Sequence, residues 1–105
     1  MTCVVLYVTA ADAEEAARIG RTLVEERLAA CANVLPGVRA IYRWEGAVQD
    51  EAEAVLIAKT EASCVAAATD RIKALHSYEL PCVVALPVAG GNAAFLEWIE
   101  AETDG

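Results

Sequence analysis

The apolar and polar positions of the chain form two patterns: short unbroken apolar runs, and stripes that recur every three or four residues. The run Cys3–Thr9 is short and rich in β-branched residues, which predicts a strand covered on both faces. Asp12 can then accept from the free N–H groups that open a helix, and Glu15 stands at the capping-box spacing. Apolar residues continue at helical spacing to Leu28, so the second predicted element is an amphipathic helix.

The longest alternating pattern lies in the middle of the chain and predicts a β-hairpin. Its first strand spans 30–45 and should bend or bulge at Pro36-Gly37, because proline cannot donate to a sheet ladder. Glu45-Gly46 provides a tight turn, and 48–60 is the return strand. A hairpin of this length is expected to project past a compact core.

The last part of the chain predicts a helix, a strand and a terminal helix. Ser63 is expected to cap the first of these helices, whose apolar stripe covers 65–75. A loop at 76–81 leads into the last core strand, Cys82–Val88. Two glycines then break the chain, and Asn92 is expected to cap the terminal helix.

The predicted order is therefore β-α-β-β-α-β plus one helix, in a single domain over residues 1–105. This is the α+β class, and it fits the ferredoxin-like split βαβ arrangement. Right-handed crossovers place both crossover helices on one face of an antiparallel sheet. The other face carries aliphatic residues and is left bare, so we expect copies of the chain to associate.

The charge balance excludes some classes of partner. The chain has a formal net charge of −8, and its only lysines are Lys59 and Lys73. Without a basic patch to neutralise phosphates, we expect neither nucleic acid nor an anionic membrane as a partner. No apolar run is long enough to span a bilayer, and the N-terminus has no basic segment of a signal peptide. We therefore expect a cytoplasmic protein.

The four cysteines show no metal-binding or redox spacing. No C-x-x-C pair occurs, which argues against zinc-finger and thioredoxin-like sites. In a reducing cytosol they are expected to remain thiols and to pack as small apolar side chains. They are Cys3, Cys31, Cys64 and Cys82.

Several short motifs occur in a specific order along nearly the whole chain. TAAD ends the first predicted strand, and EERLAACANVLPG, IYRWEG, KALHSYELP, LPVAGGN and FLEWI follow. Together they resemble the CutA family of divalent-cation tolerance proteins. The resemblance implies a ferredoxin-like homotrimer, similar in architecture to PII-type signal proteins. It also implies a link to tolerance of copper and other divalent cations, with no established catalytic reaction.

The resemblance also implies a candidate metal site. Copper-binding relatives use a first-strand cysteine and a histidine pair, and the corresponding positions here are Val8 and Leu75-His76. His76 remains, and Cys82 lies close by in sequence. Because copper(II) favours imidazole with nitrogen, oxygen or thiolate ligands, these two residues are the candidates for weak binding of copper(II) or another divalent cation. The alternative for His76 is a hydrogen bond that anchors its loop.

A second set of candidates matches the family's motifs in the hairpin and the loop that follows the second helix. The resemblance implies that in a trimer they converge on a cleft between subunits. They are Cys31, Asn33, Tyr42, Trp44, Glu53, Lys59 and Tyr78. Glu53 and Lys59 share one side of a strand but lie about 20 Å apart along it. The alternatives are packing for Cys31 and interface contacts for the aromatic residues. For the acidic residues Asp50, Glu51 and Glu53 the alternative is a solvated edge, with Glu53 the expected exception because it lies deeper in the strand.

Three hypotheses on function follow. The first is a non-enzymatic trimer that acts in divalent-cation tolerance, with weak copper binding. The second is a PII-like signalling module that binds a small ligand between subunits. The third is an enzyme of unknown reaction that uses Cys31, Glu53 and Lys59, although no P-loop, nucleophile elbow or H-E-x-x-H motif supports it.

Overall fold

The computed structural model describes residues 2–104. Its elements follow the predicted order of strands and helices. They are β1 (Cys3–Ala10), α1 (Ala13–Glu25), β2 (Cys31–Trp44), β3 (Ala47–Glu61), a 3-10 turn (Ala62–Cys64), α2 (Val65–Leu75), β4 (Val83–Pro87) and α3 (Ala93–Ala101).

One antiparallel sheet of four strands, in the order β2-β3-β1-β4, forms the centre of the fold. β1 is a central strand, with Val8 opposite Leu56 of β3 and Val83 of β4. Because side chains alternate along a strand, every second residue of β1 faces the helices, and Leu6, Val8 and Ala10 are fully buried there. α1 and α2 bury their apolar stripes in the same core.

α1 lies close to the sheet because it carries a glycine on its buried side. A Cβ atom on Gly20 would lie 2.9 Å from Cδ1 of Leu56 and 3.0 Å from Cβ of Ala32. Real Cβ atoms do not approach other heavy atoms so closely without displacing them. The glycine therefore sets the distance between the helix and strands β2 and β3.

Both ends of α1 are closed by specific contacts. Asp12 caps the N-terminus as predicted, and its Oδ1 accepts from the N–H of Glu15 at 2.8 Å. At the C-terminus, the N–H groups of Arg27 and Leu28 donate back to Val24 and Leu23 respectively. This is the Schellman pattern, and Arg27 takes the left-handed conformation (φ 61°) that glycine usually occupies.

The predicted cap of α2 is wrong. Cys64, not Ser63, precedes the helix, and it makes no side-chain capping bond. Ser63 lies inside the 3-10 turn, where its hydroxyl donates to Glu61 at 3.4 Å. The reason is that this turn leads directly into α2, so that the N–H of Val65 already donates to the carbonyl of Ala62.

The bulge predicted at Pro36-Gly37 is present and reverses the facing of β2. The register jumps between Leu35, opposite Val55, and Val38, opposite Glu53. β2 therefore has one extra residue at the bulge. Before it, the odd-numbered side chains of β2 share a face with the odd-numbered ones of β3; after it, the even-numbered side chains of β2 take that face. Beyond Ala54, β3 has no pairing with β1, so the hairpin overhangs the sheet as predicted.

The sheet face opposite α1 and α2, called the open face, confirms the predicted bare surface. It is formed by odd-numbered residues of β1 and β3, by Val84 and Leu86 of β4, and by β2 residues that are odd-numbered before the bulge and even-numbered after it. Four of its large apolar side chains are 37–52% exposed: Tyr7, Leu35, Val84 and Leu86. The prediction that β1 is covered on both faces is therefore wrong for most of the strand in the single chain: on the open face α3 buries Cys3, but Tyr7 stays 37% exposed.

Candidate functional site

The predicted cleft residues separate into two groups on the open face. The first group surrounds Lys59, which lies opposite Cys31 in the β2–β3 register. The Lys59 ammonium donates to Oδ1 of Asn33 at 2.6 Å and lies 3.7 Å from Sγ of Cys31. This arrangement holds an ammonium group beside a half-buried thiol.

The second group lines a cavity of about 680 Å³ along the overhanging part of the hairpin, called the hairpin pocket. The end of β2, with Tyr42 and Trp44, lines the cavity together with Glu53 of β3, which lies opposite Val38. The opposite wall is the loop at 77–82. The β2 bulge is the reason that these aromatic residues share the open face with Glu53.

Glu53 and Tyr78 form a direct pair in the hairpin pocket. The Tyr78 hydroxyl donates to Oε2 of Glu53, whose side chain is only 7% exposed. Burial raises the pKa of Tyr78, and the hydrogen bond and negative charge of Glu53 raise it further. Burial also raises the pKa of Tyr42, with Glu51 and Glu53 adding to the effect. Both phenols therefore stay protonated at neutral pH and act as neutral donors.

His76 holds the Tyr78 loop in place. Its Nε2 lies 2.7 Å from the carbonyl oxygen of Thr9, and its Nδ1 accepts from the N–H of Tyr78 at 3.0 Å. A carbonyl needs a donor and an N–H needs an acceptor, so the ring is neutral with its proton on Nε2. The ring is fully buried and lies 4.7 Å from the Tyr78 ring. The anchoring role considered for this histidine is thus confirmed.

The same contacts bear on the predicted metal ligands. A metal ion on His76 would have to displace one of its two hydrogen bonds, and Cys82 borders the hairpin pocket. Val8, where the resemblance implied a first-strand cysteine, is buried on the helix side of the sheet. Within residues 2–104, no group of three or more His, Cys, Asp or Glu side chains could hold a metal ion. Binding by His76 and Cys82 stays a prediction.

Sequence reasoning assigned Glu15 a capping role and missed its wider one. Its carboxylate accepts from the N–H of Ala11 and from the N–H of Ser77, each at 2.9 Å. Burial alone raises the pKa of Glu15, but these hydrogen bonds hold it below its ordinary value. Glu15 thereby joins α1 to the pocket loop, and no local pattern signals a contact across 62 residues.

The three residues of the enzyme hypothesis do not meet within one chain. Lys59 contacts Cys31, whereas Glu53 contacts Tyr78 at the other end of the open face. The spacing of six residues along β3 separates Glu53 from Lys59 by about 20 Å. A site that uses all three residues therefore requires more than one subunit.

Comparison with known proteins places the chain in a family. The family model described as "CutA1 divalent ion tolerance protein" matches residues 4–102. A divalent-cation tolerance protein CutA of Thermus thermophilus is 44% identical over 99 residues, which are 94% of this chain and 96% of the relative. The chloroplastic protein CutA 1 of rice is 45% identical over 100 residues, and the chain spans 56% of that relative's length. Among the described residues, no helix is both long and apolar enough to cross a membrane.

Solved structures agree with this placement. The crystal structure of CutA1 from Oryza sativa has a TM-score of 0.94 at 44% identity, covering 98% of this chain and 94% of that one. The structure of the divalent cation tolerance protein from Thermus thermophilus also has a TM-score of 0.94 at 44% identity, covering 96% and 98% respectively. With one antiparallel four-stranded sheet in common with these structures, the chain belongs to the CutA1 family of divalent ion tolerance proteins.

Proposed function

We propose that the chain acts in divalent-cation tolerance as a cytoplasmic, ferredoxin-like homotrimer with no catalytic reaction of its own. Family membership supports the role in tolerance. The strand order β2-β3-β1-β4, with α1 and α2 in one core, supports the ferredoxin-like assignment. The four cysteines form no disulfide among residues 2–104, which is consistent with a reducing compartment. Microscopy of a fluorescent fusion tests the location.

The observation that carries the trimer is the open face. Its four exposed apolar side chains belong to three strands of one continuous sheet, and such a patch is costly in water. Three copies packed around a common axis would remove these side chains from solvent. Closed cyclic symmetry also leaves no unpaired copy of this apolar interface exposed to solvent.

Sedimentation tests the trimer directly. We expect the native chain to sediment at the mass of three copies, and Leu86→Asp to dissociate it, because a carboxylate would be buried without a partner. Ala66→Asp, at an exposed position of α2, adds the same charge away from the open face and should leave the trimer intact. A native chain that sediments as a stable single copy would contradict the proposal.

For the cation itself, we propose weak binding of copper(II), or of another divalent cation, by His76 and Cys82. The neutral ring of His76 is the form that binds metals, and a half-buried cysteine is available beside the pocket loop. Binding must replace a hydrogen bond to Thr9 or Tyr78, so a low affinity is expected.

Copper titration followed by absorbance tests these two ligands. We expect a thiolate-to-copper band that His76→Ala and Cys82→Ser both abolish. Cys31→Ser removes another half-buried thiol and serves as the matched control, with the band unchanged. An unaltered affinity in His76→Ala would remove this histidine from the site.

A second candidate function is a PII-like signalling module that binds a small ligand at the subunit interface. The hairpin pocket favours it, because four of the predicted cleft residues line one cavity of ligand size. A thermal-shift screen of metabolites tests it: a ligand at 100 times its dissociation constant adds about 2.7 kcal/mol of stability. The enzyme hypothesis would instead require Cys31, Lys59 and a partner's carboxylate to meet across subunits.

A further inference from the structure

The hairpin pocket contains a carboxylate that is buried but only partly satisfied. Glu53 receives a hydrogen bond on Oε2 from Tyr78, and no donor within residues 2–104 reaches its Oε1. Every fully buried side-chain oxygen in that part of the chain has a hydrogen-bond partner. Since Oε1 has none, it must be accessible to solvent. Since Glu53 lines the pocket, the available space is the pocket itself. A largely buried carboxylate with one free oxygen favours a cationic or hydrogen-donating partner there.

The rest of the lining is mainly aromatic and apolar. Trp44, Tyr42 and Tyr78 border the cavity, and Leu80 adds an aliphatic side. The face of an aromatic ring carries negative charge density and attracts a cation within about 6 Å, with tryptophan the most effective. The two phenols stay neutral, so they offer ring faces and hydroxyl groups without adding charge.

The charges around the cavity also favour a cation. Glu79 borders the pocket in addition to Glu53. Arg43 borders the cavity as well. Because side chains alternate along a strand, however, its side chain leaves β2 on the face opposite to Tyr42 and Trp44. Among the ion pairs within 2–104, none joins Arg43 to Glu53. The chain's net charge of −8 would further steer cations toward the protein.

We infer that the hairpin pocket binds a small organic cation, a protonated amine or a quaternary ammonium group, with Glu53 as its counter-ion. The aromatic side chains contact its apolar surface. This inference rests on the ligand-binding candidate of the proposed function and specifies the ligand's chemical class. A divalent metal fits less well, because hard cations take six or more oxygen ligands and the lining supplies few carboxylates.

Three probes that share one ring and differ in charge test the inference. Benzylammonium, benzyl alcohol and benzoate are titrated calorimetrically into the native protein. We expect benzylammonium to bind at least about tenfold more tightly than benzyl alcohol, and benzoate not to bind. Trp98→Phe leaves Trp44 as the only tryptophan, so a saturable change in its fluorescence locates the probe in the pocket.

Charge variants identify the counter-ion. Glu53→Gln should bring the affinity for benzylammonium to within about threefold of that for benzyl alcohol, since the ionic contribution is lost. Glu97→Gln removes the same charge from an exposed position of α3 and should change nothing. If circular dichroism shows that Glu53→Gln does not fold, Trp44→Leu replaces it. That variant should weaken benzylammonium binding by at least about threefold with the carboxylate intact.

The outcomes separate the inference from the function on which it rests. If benzyl alcohol or benzoate binds as tightly as benzylammonium and changes Trp44 fluorescence, the pocket binds ligands but the cationic class is overturned. If no probe binds, both are overturned, and a second copy of the chain is the occupant of the pocket. An affinity for benzylammonium that neither Glu53→Gln nor Trp44→Leu alters also overturns the inference.

Discussion

At the scale of single residues, two buried carboxylates fix the pocket loop from opposite sides. Glu15 accepts from the N–H of Ser77, and Glu53 accepts from the hydroxyl of Tyr78. His76 lies between them and bonds both Thr9 and Tyr78. Hydrogen bonds to ionised acceptors are stronger than those between neutral groups, so the loop is held in one conformation before any ligand arrives. The wall of the hairpin pocket is therefore preorganised.

Replacement of Glu15 by Gln tests this anchoring. At pH 7 we expect a loss of about 2 kcal/mol in the free energy of unfolding, because a charged acceptor of two N–H groups is lost. Chemical denaturation at several pH values measures it. Glu14→Gln, one residue away and exposed, is the control and should change stability little.

The effect of Glu15→Gln should depend on pH in a defined direction. The pKa of Glu15 is lower in the folded chain than its ordinary value of 4.5, so its stabilising effect is present above pH 4.5. It is lost as the pH falls through the lower, folded-state pKa. The stability difference between the native chain and Glu15→Gln should therefore shrink in acid. A difference that stays constant down to low pH would show that the charge of Glu15 is not what stabilises the fold.

At the scale of elements, the β2 bulge determines which side chains meet. Without the extra residue between Leu35 and Val38, Tyr42 and Trp44 would lie on the helix side of the hairpin. Gly37 occupies the bulge with φ 73°, a left-handed conformation. The pocket's aromatic wall therefore depends on a backbone conformation some distance from the pocket.

Gly37→Ala tests the conformation of the bulge. The added Cβ meets nothing within 4 Å, so its cost is that of the backbone alone. We expect a loss of about 1–2 kcal/mol, the usual penalty of a left-handed non-glycine residue. Gly90→Ala is the matched control: it also has open space, has no left-handed φ, and should be neutral or slightly stabilising. Denaturation midpoints compare the two, and equal midpoints would argue against strain at Gly37.

The end of α1 is tied to the end of α3 by one side chain. Arg27 donates to Oδ1 of Asp104 at 3.0 Å and to the carbonyl of Ala101 at 2.9 Å, and its own carbonyl accepts from the N–H of Asp104. Glu102 lies 3.6 Å from the same guanidinium. Arg27 thus has an unfavourable backbone conformation, while its side chain binds the end of α3.

Arg27→Gly separates these two effects. Glycine relaxes the left-handed backbone, whereas the bonds to α3 are lost. We expect amide hydrogens of α3 to exchange faster by about tenfold or more, while the exchange of β1 and β3 changes little. Arg21→Gln is the control: among the described residues, this exposed arginine has its ion pair with Glu25 on the same helix. Unchanged protection of α3 would mean that its packing, not Arg27, holds it.

At the scale of the whole molecule, stability should depend on association. If copies cover one another's open face, folding and assembly are linked, and dilution shifts the equilibrium toward the dissociated, less stable chain. We expect the thermal midpoint of the native protein to fall on dilution. The midpoint of Leu86→Asp should be lower and independent of concentration, while Ala66→Asp should behave like the native chain. Calorimetry over a range of protein concentrations measures this, and a constant native midpoint would contradict the trimer.

The sequence determined the order of elements and the existence of the open face. Asp12 and Asn92 are recognisable caps, and both make the expected hydrogen bonds. The Pro36-Gly37 dipeptide marked the bulge, because proline and glycine limit what the backbone can do locally. Ser63 shows where such reasoning fails. In the 3-10 turn before α2, the N–H of Val65 already donates to the carbonyl of Ala62, so a side-chain cap is not needed for it.

Only the tertiary structure decided which candidate residues act together. Residues far apart in sequence meet because helices and loops pack against the paired strands, as in the contacts of Glu15 with Ser77 and of Glu53 with Tyr78. The same pairing joined Lys59 to Cys31 and Asn33, and separated it from Glu53. Local patterns encode helices, strands and turns because those depend on neighbouring residues. A site depends on register and on the direction of each side chain, which are fixed only when the whole sheet has formed.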